Sequence, residues 1–234
     1  MGMGSLLATM RKTAIDPLTA LAIGGAGAGT ALGGAMLGRL AMKGTGHAAE
    51  PAPQKGQRTR LSNRLLSTMK GRFGGEPVLN RAKDFSPFMA HAHTGKGEAN
   101  LSYFSHPAIV AHELGHLANE AQARKGGIGA KALSGATSLA YSPISWLMPL
   151  LASAAYATGH DAPGDVALGG SVAGSGLQLL EEGRASRKAL KMMKQLRGGK
   201  TKSEDVLPLA GGFGTYALGG LGAAAIPLLI REYA

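Results

Sequence analysis

In the run AHELGHLANE, His112, Glu113 and His116 are spaced for metal chemistry. Positions four apart share one face of a helix, so the two imidazoles can bind a single ion. Glu113, beside the first histidine, can then take a proton from a water polarised by that ion, which attacks an amide carbonyl. The pentapeptide also occurs by chance in unrelated helices, so its surroundings matter. Pro107 suits a first helical turn. Ile109, Val110, Leu114 and Leu117 give an apolar stripe, and Gly115 leaves room for another element to pack close. Just before the motif, Glu98 to Phe104 reads as a short strand.

A third ligand has to come from a second helix. Glu181 and Glu182, in LQLLEEGRASRKALKMM, follow an apolar run, where an unpaired carboxylate is costly. A metal role for one of them competes with plain pairing to Arg184, Arg187 or Lys188. His91 and His93 alternate as a chelating strand would, although such a pair is more often simply exposed. His106 reads as a turn residue, and His160 falls between apolar blocks, on the face opposite the motif.

Taken together, the two motifs resemble the membrane neutral zinc metallopeptidases of the YugP type, gluzincin-like enzymes distantly related to the HtpX and CAAX prenyl proteases. In that family a strand precedes an H-E-x-G-H helix. A hydrophobic hairpin follows, then a helix with Glu-x-x-Ala-Ser-Arg and a last membrane helix. His112-Glu113-Leu114-Gly115-His116 matches the first motif and Glu182-Gly183-Arg184-Ala185-Ser186-Arg187 the second. The resemblance covers roughly residues 75–195. It implies that His112, His116 and Glu182 hold Zn2+, that Glu113 is the general base, and that the substrate is a peptide or protein. It also implies an oxyanion stabiliser, for which Arg184, Arg187 and Tyr156 are the candidates. Two departures stand out: the membrane segments are short and rich in Gly and Ala, and Phe88 to His93 replaces an aspartate-containing segment.

The rest of the chain must position this site. With no cysteine among 234 residues, disulfides, thiolate zinc ligands and thiol nucleophiles are excluded. Four apolar blocks carry no charge: Pro17 to Gly38, Ala132 to Gly159, Val166 to Leu180 and Leu207 to Ile230. The first is 22 residues long, enough to cross about 30 Å of hydrocarbon as a helix. Gly25, Gly29 and Gly33 within it are spaced for close helix contact. It is too long for the core of a cleavable signal peptide behind Arg11 and Lys12. In the second block Pro143 and Pro149 are expected to kink or end a helix, and Trp146 and two tyrosines suit an interface. The HDAPGD run from His160 to Asp165 reads as a hairpin tip.

Of 25 Lys and Arg, segments 39–131 and 181–206 carry 14 and 8. Four crossings put both segments on one side, as the positive-inside rule predicts for the cytoplasm. The formal charge of +11 is thereby accounted for without specific nucleic-acid binding. The expectation is a mainly α, integral-membrane helical protein with a small zincin-like catalytic unit, an active-site helix plus a short strand or hairpin. Its site faces the cytoplasm, and an oligomer is compatible with it. Residues 1–41 form an N-terminal Gly/Ala-rich membrane helix, with a flexible linker as the competing reading, and 42–74 a basic linker and amphipathic segment, in which Leu61 to Phe73 is a helix on the membrane surface or an ordinary solvated one. The catalytic region is 75–205, with a hydrophobic hairpin at 132–180, and 206–234 is a C-terminal membrane helix. The competing reading is a structural, membrane-active virion protein of the phage ejection type that carries an H-E-x-x-H module. A weaker one is a soluble helical protein whose apolar blocks pack together.

Overall fold

The computed structural model describes residues 50–51, 63–65, 67, 77–81, 91–93, 96–101 and 104–233, which are mainly helical. The expected membrane helix at Pro17 to Gly38 lies outside them. Strands β1 (Glu50–Pro51) and β5 (Phe104–Ser105) pair antiparallel. Strands β2 (Val78–Arg81), β3 (His91–His93) and β4 (Glu98–Leu101) form a sheet in the order β2-β4-β3. In it β2 runs parallel and β3 antiparallel to β4, with Ala99 opposite both Leu79 and Ala92. The strand expected from Glu98 to Phe104 is thus split between β4 and β5.

Five helices follow: α1 (Pro107–Lys125), α2 (Ile128–Ala140), α3 (Pro143–Ala157), α4 (Asp161–Leu196) and α5 (Ser203–Tyr233). Local chemistry sets their ends. At the start of α1 the His106 imidazole accepts from the Ala108 N–H and Pro107 takes the first helical position, where its missing donor costs nothing. Arg124 and Lys125 sit in its last turn, opposite the negative end of the helix dipole. Ser142 is extended because Pro143 follows it, and so α2 and α3 are separate helices. Pro149 lies inside α3 without ending it. After α3, Gly159 adopts φ 73°, and the His160 N–H returns to the Ala155 carbonyl, closing the helix end.

These boundaries revise two expectations and bear out a third, the break at Pro143. The turn of the hairpin is Thr158 to His160, and Asp161 to Asp165 already belong to α4. Val166 to Leu180 and the helix bearing Glu182 are one continuous element of 36 residues. The second apolar block is two helices of 13 and 15 residues, each short of the roughly 20 needed to span a bilayer. Among the described residues one helix, α5, is long and apolar enough to cross a membrane, and only 11% of its apolar window is buried.

Contacts divide the chain into two compact units. Residues 137–178 and 215–233 make up the hairpin unit, whose small core joins Ala152, Tyr156 and Ala167. Within it the Tyr156 hydroxyl donates to Asp165 at 2.7 Å, and Arg231 pairs with the same carboxylate at 3.0 Å.

The described residues up to 136, with 179–214, form the sheet-bearing unit. Helix α1 lies in its middle, and Leu114, Leu117 and Ala118 share a core with Ala99 and with Ala189, Met192 and Met193 of α4. Leu65, expected on a membrane-surface helix, is fully buried in this core. Little else of the 61–73 segment is described.

In this unit α1 and α4 approach closely. A Cβ placed on Gly115 would lie 2.6 Å from the Ala185 carbonyl oxygen and 3.0 Å from its Cα. These are backbone atoms, so the helices would have to separate. Gly115→Ala should therefore lower the thermal midpoint, although alanine is normally about 1 kcal/mol better than glycine within a helix. Gly135→Ala, in α2 with nothing within 4 Å, should leave the midpoint unchanged or raise it. Thermal unfolding of the two variants side by side checks the opposite signs.

Candidate metal centre

The Gly115–Ala185 contact brings one turn of α1 against one turn of α4. On α1 the four-residue spacing puts both imidazoles on the face turned towards α4. His112 Nε2 lies 2.9 Å from Glu182 Oε2 and 3.1 Å from His116 Nε2. His116 Nε2 is 3.6 Å from the same carboxylate oxygen, which closes a triangle. The two rings stand edge to face at 89°, so both Nε2 atoms and the carboxylate oxygen converge. This group can hold a metal ion. Glu113 is buried beside it and feels the charges of both histidines and of Glu182.

The far ring nitrogens also have partners. Ser186 Oγ lies 3.1 Å from His112 Nδ1, and Glu181 Oε1 lies 3.4 Å from His116 Nδ1. Asn119 donates to Glu181 Oε1 at 2.6 Å, and Arg184 reaches the other oxygen at 3.4 Å. Glu181 and Glu182 therefore divide the work: Glu182 faces the convergence point, while Glu181 holds the back of one histidine and also takes the expected pairing with Arg184.

Electrostatics follow from this packing. Burial raises the Glu113 carboxyl, against the opposing pull of His116 and His112. Burial also works against a charged His116, but the hydrogen bonds to Glu181 and Glu182 and the charge of Glu113 outweigh it, and its value is pushed up to about 10. For Glu182, burial is overcome by hydrogen bonds from His112 and His116, and the carboxyl is held below its ordinary range. Glu181 is lowered too, its burial outweighed by His116 and Asn119. The surrounding carboxylates thus favour a protonated His116.

Of the other residues singled out in the sequence, His91 and His93 form β3, at one edge of the sheet. His106 caps α1, and His160 Nδ1 contacts the Thr158 carbonyl oxygen at 2.9 Å within the hairpin turn. The Tyr156 hydroxyl is engaged with Asp165, Arg184 with Glu181, and Arg187 is exposed. Two polar partners were not singled out from the sequence, Asn119 and Ser186. Their spacing carried the signal: Asn119 is three residues after His116 and Ser186 four after Glu182, so each shares a helix face with a candidate ligand.

No family model matches the chain, and no curated protein or solved structure matches it either.

Metal uptake should be linked to pH in a definite direction. His116 must be neutral to bind an ion, yet in the metal-free cluster it stays protonated up to about pH 10. Between pH 7 and 9, binding should therefore release about one proton from His116, and affinity should rise roughly tenfold per pH unit. Calorimetric titration with Zn2+ in buffers of different ionisation enthalpy measures that release directly.

Proposed function

We propose that the chain is a zinc-dependent membrane metalloendopeptidase that hydrolyses peptide bonds in peptide or protein substrates. The observation that carries this reading is the triangle of His112 Nε2, His116 Nε2 and Glu182 Oε2, with edges of 2.9, 3.1 and 3.6 Å. Tetrahedral zinc, with bonds of about 2.0–2.2 Å, keeps its ligand atoms roughly 3.3 Å apart. Two imidazoles and one carboxylate are also a donor set used by catalytic zinc sites, which leave a fourth position open.

Zinc held there would acidify a water molecule and polarise the substrate carbonyl. Glu113 takes the proton from that water and returns it to the leaving amide nitrogen. Burial raises the Glu113 carboxyl, which makes its carboxylate a stronger base towards that water. His112 and His116 act as neutral donors through Nε2, with Ser186 and Glu181 receiving their Nδ1 protons.

Two features support a lipid partner. The apolar surface of α5 is largely uncovered. In the hairpin unit Leu139, Ile144, Leu147, Leu150 and Leu151 are exposed, more apolar side chain than a water-soluble unit with so small a core would leave open. The excess of Lys and Arg in segments 39–131 and 181–206, the latter containing the Glu182 motif, supports a cytoplasmic site.

Purified protein should carry about one zinc per chain. Glu113→Gln should retain that zinc while proteolysis falls at least about 100-fold, whereas His112→Ala, His116→Ala and Glu182→Ala should each lose metal and activity together. Carefully purified wild-type protein that neither contains nor takes up zinc would sink the enzymatic reading. Recovery of the chain from the aqueous phase without detergent would remove the membrane assignment and leave the chemistry untouched.

A further inference from the structure

We propose that Glu181, held by Asn119, is a positioning residue that fixes the orientation and tautomer of His116 and strengthens it as a metal donor. This inference rests on the metal-site reading above and assigns work to two residues that the three-ligand description leaves idle.

The geometry is specific. Neighbouring residues on a helix point about 100° apart. Glu181 and Glu182 use that divergence to reach opposite nitrogens of one ring, 3.4 Å at Nδ1 and 3.6 Å at Nε2. The other candidate histidine has no such arrangement, since a neutral hydroxyl, Ser186 Oγ, stands at its Nδ1. The two imidazoles are therefore unequal: a carboxylate behind His116 draws its Nδ1 proton and enriches Nε2, while the hydroxyl behind His112 mainly orients the ring.

Asn119 points to the same role. It is 3% exposed, and its amide makes the short bond to Glu181, while its Oδ1 atom has no partner among the described residues. A half-satisfied buried amide costs stability. Its one contact serves the carboxylate behind His116. Together, Asn119 on α1 and Arg184 on α4 grip Glu181 from two helices, so the carboxylate cannot swing towards the convergence point and compete with Glu182.

The test is a thermodynamic cycle read as zinc affinity by chelator competition, with the absorption spectrum of the Co2+-loaded protein as a second readout. Glu181→Ala should weaken zinc binding by about 10- to 100-fold and shift the cobalt bands, with one metal still bound per chain at saturation. Glu181→Gln keeps the shape and an acceptor oxygen but not the charge, and should lose at least about fivefold. Asn119→Ala should move affinity in the same direction. Because Asn119 acts through Glu181, the double variant Asn119→Ala/Glu181→Ala should bind zinc no more weakly than Glu181→Ala alone.

Wild-type affinity and an unchanged cobalt spectrum in Glu181→Gln would overturn the proposal, as would independent, multiplying losses in the cycle. Should Glu181→Ala fail to fold, Glu181→Gln and Asn119→Ala decide the matter. If the wild-type chain itself binds no zinc, the metal-site reading fails first and this inference with it. A site that binds zinc but ignores Glu181 overturns only the inference.

Discussion

Where Gly115 meets Ala185, two helices approach until backbone faces backbone, with no room for a Cβ on Gly115. At this distance side chains one residue or one turn away, above and below the contact, are forced towards the facing helix. His112, His116 and Asn119 project from α1; Glu181, Glu182 and Ser186 project from α4. The apolar core of the same unit secures the crossing from one side, through Leu114, Leu117, Ala189, Met192 and Met193.

Burying this much charge has a consequence for the unit as a whole. Three carboxylates, Glu113, Glu181 and Glu182, are buried beside two histidines, with one partly exposed arginine at Glu181. Such a cluster is a poor source of stability, because removing charges from water costs several kcal/mol for each ion. Its members moderate one another instead, the carboxylates favouring a protonated His116 imidazole.

Much of this was legible from residue types and spacing. The start of α1 at Pro107, the apolar stripe through Leu114 and Leu117, and the break before Pro143 all follow from local rules that depend on a few neighbouring residues. One carboxylate of the Glu181–Glu182 pair was also within reach, since both follow an apolar run, but only the family resemblance singled out Glu182. Long-range facts were less accessible. Nothing local distinguishes the end of an apolar block from its continuation, so the 36-residue α4 looked like two elements and its first turn like a loop. The bond from Asn119 to Glu181 spans 62 residues, and only the assembled crossing reveals it. Leu65 reads equally well as a lipid contact or a core contact until Leu114 is seen in the same cluster.

The corner between α4 and α5 bears on how the last helix could sit in a bilayer. Arg197, just past the end of α4, pairs with Glu204 at 2.7 Å and with Asp205 at 2.8 Å, and Asp205 is entirely buried. The next residue, Val206, opens the apolar stretch of α5. For a helix that enters hydrocarbon at that point, the ion cluster acts as a stop. Sliding inwards by one turn, about 5.4 Å, would drag an arginine and two carboxylates after it. Sliding outwards would strand leucines in water. In a bilayer, the corner would thus set the depth to which this end of α5 could enter.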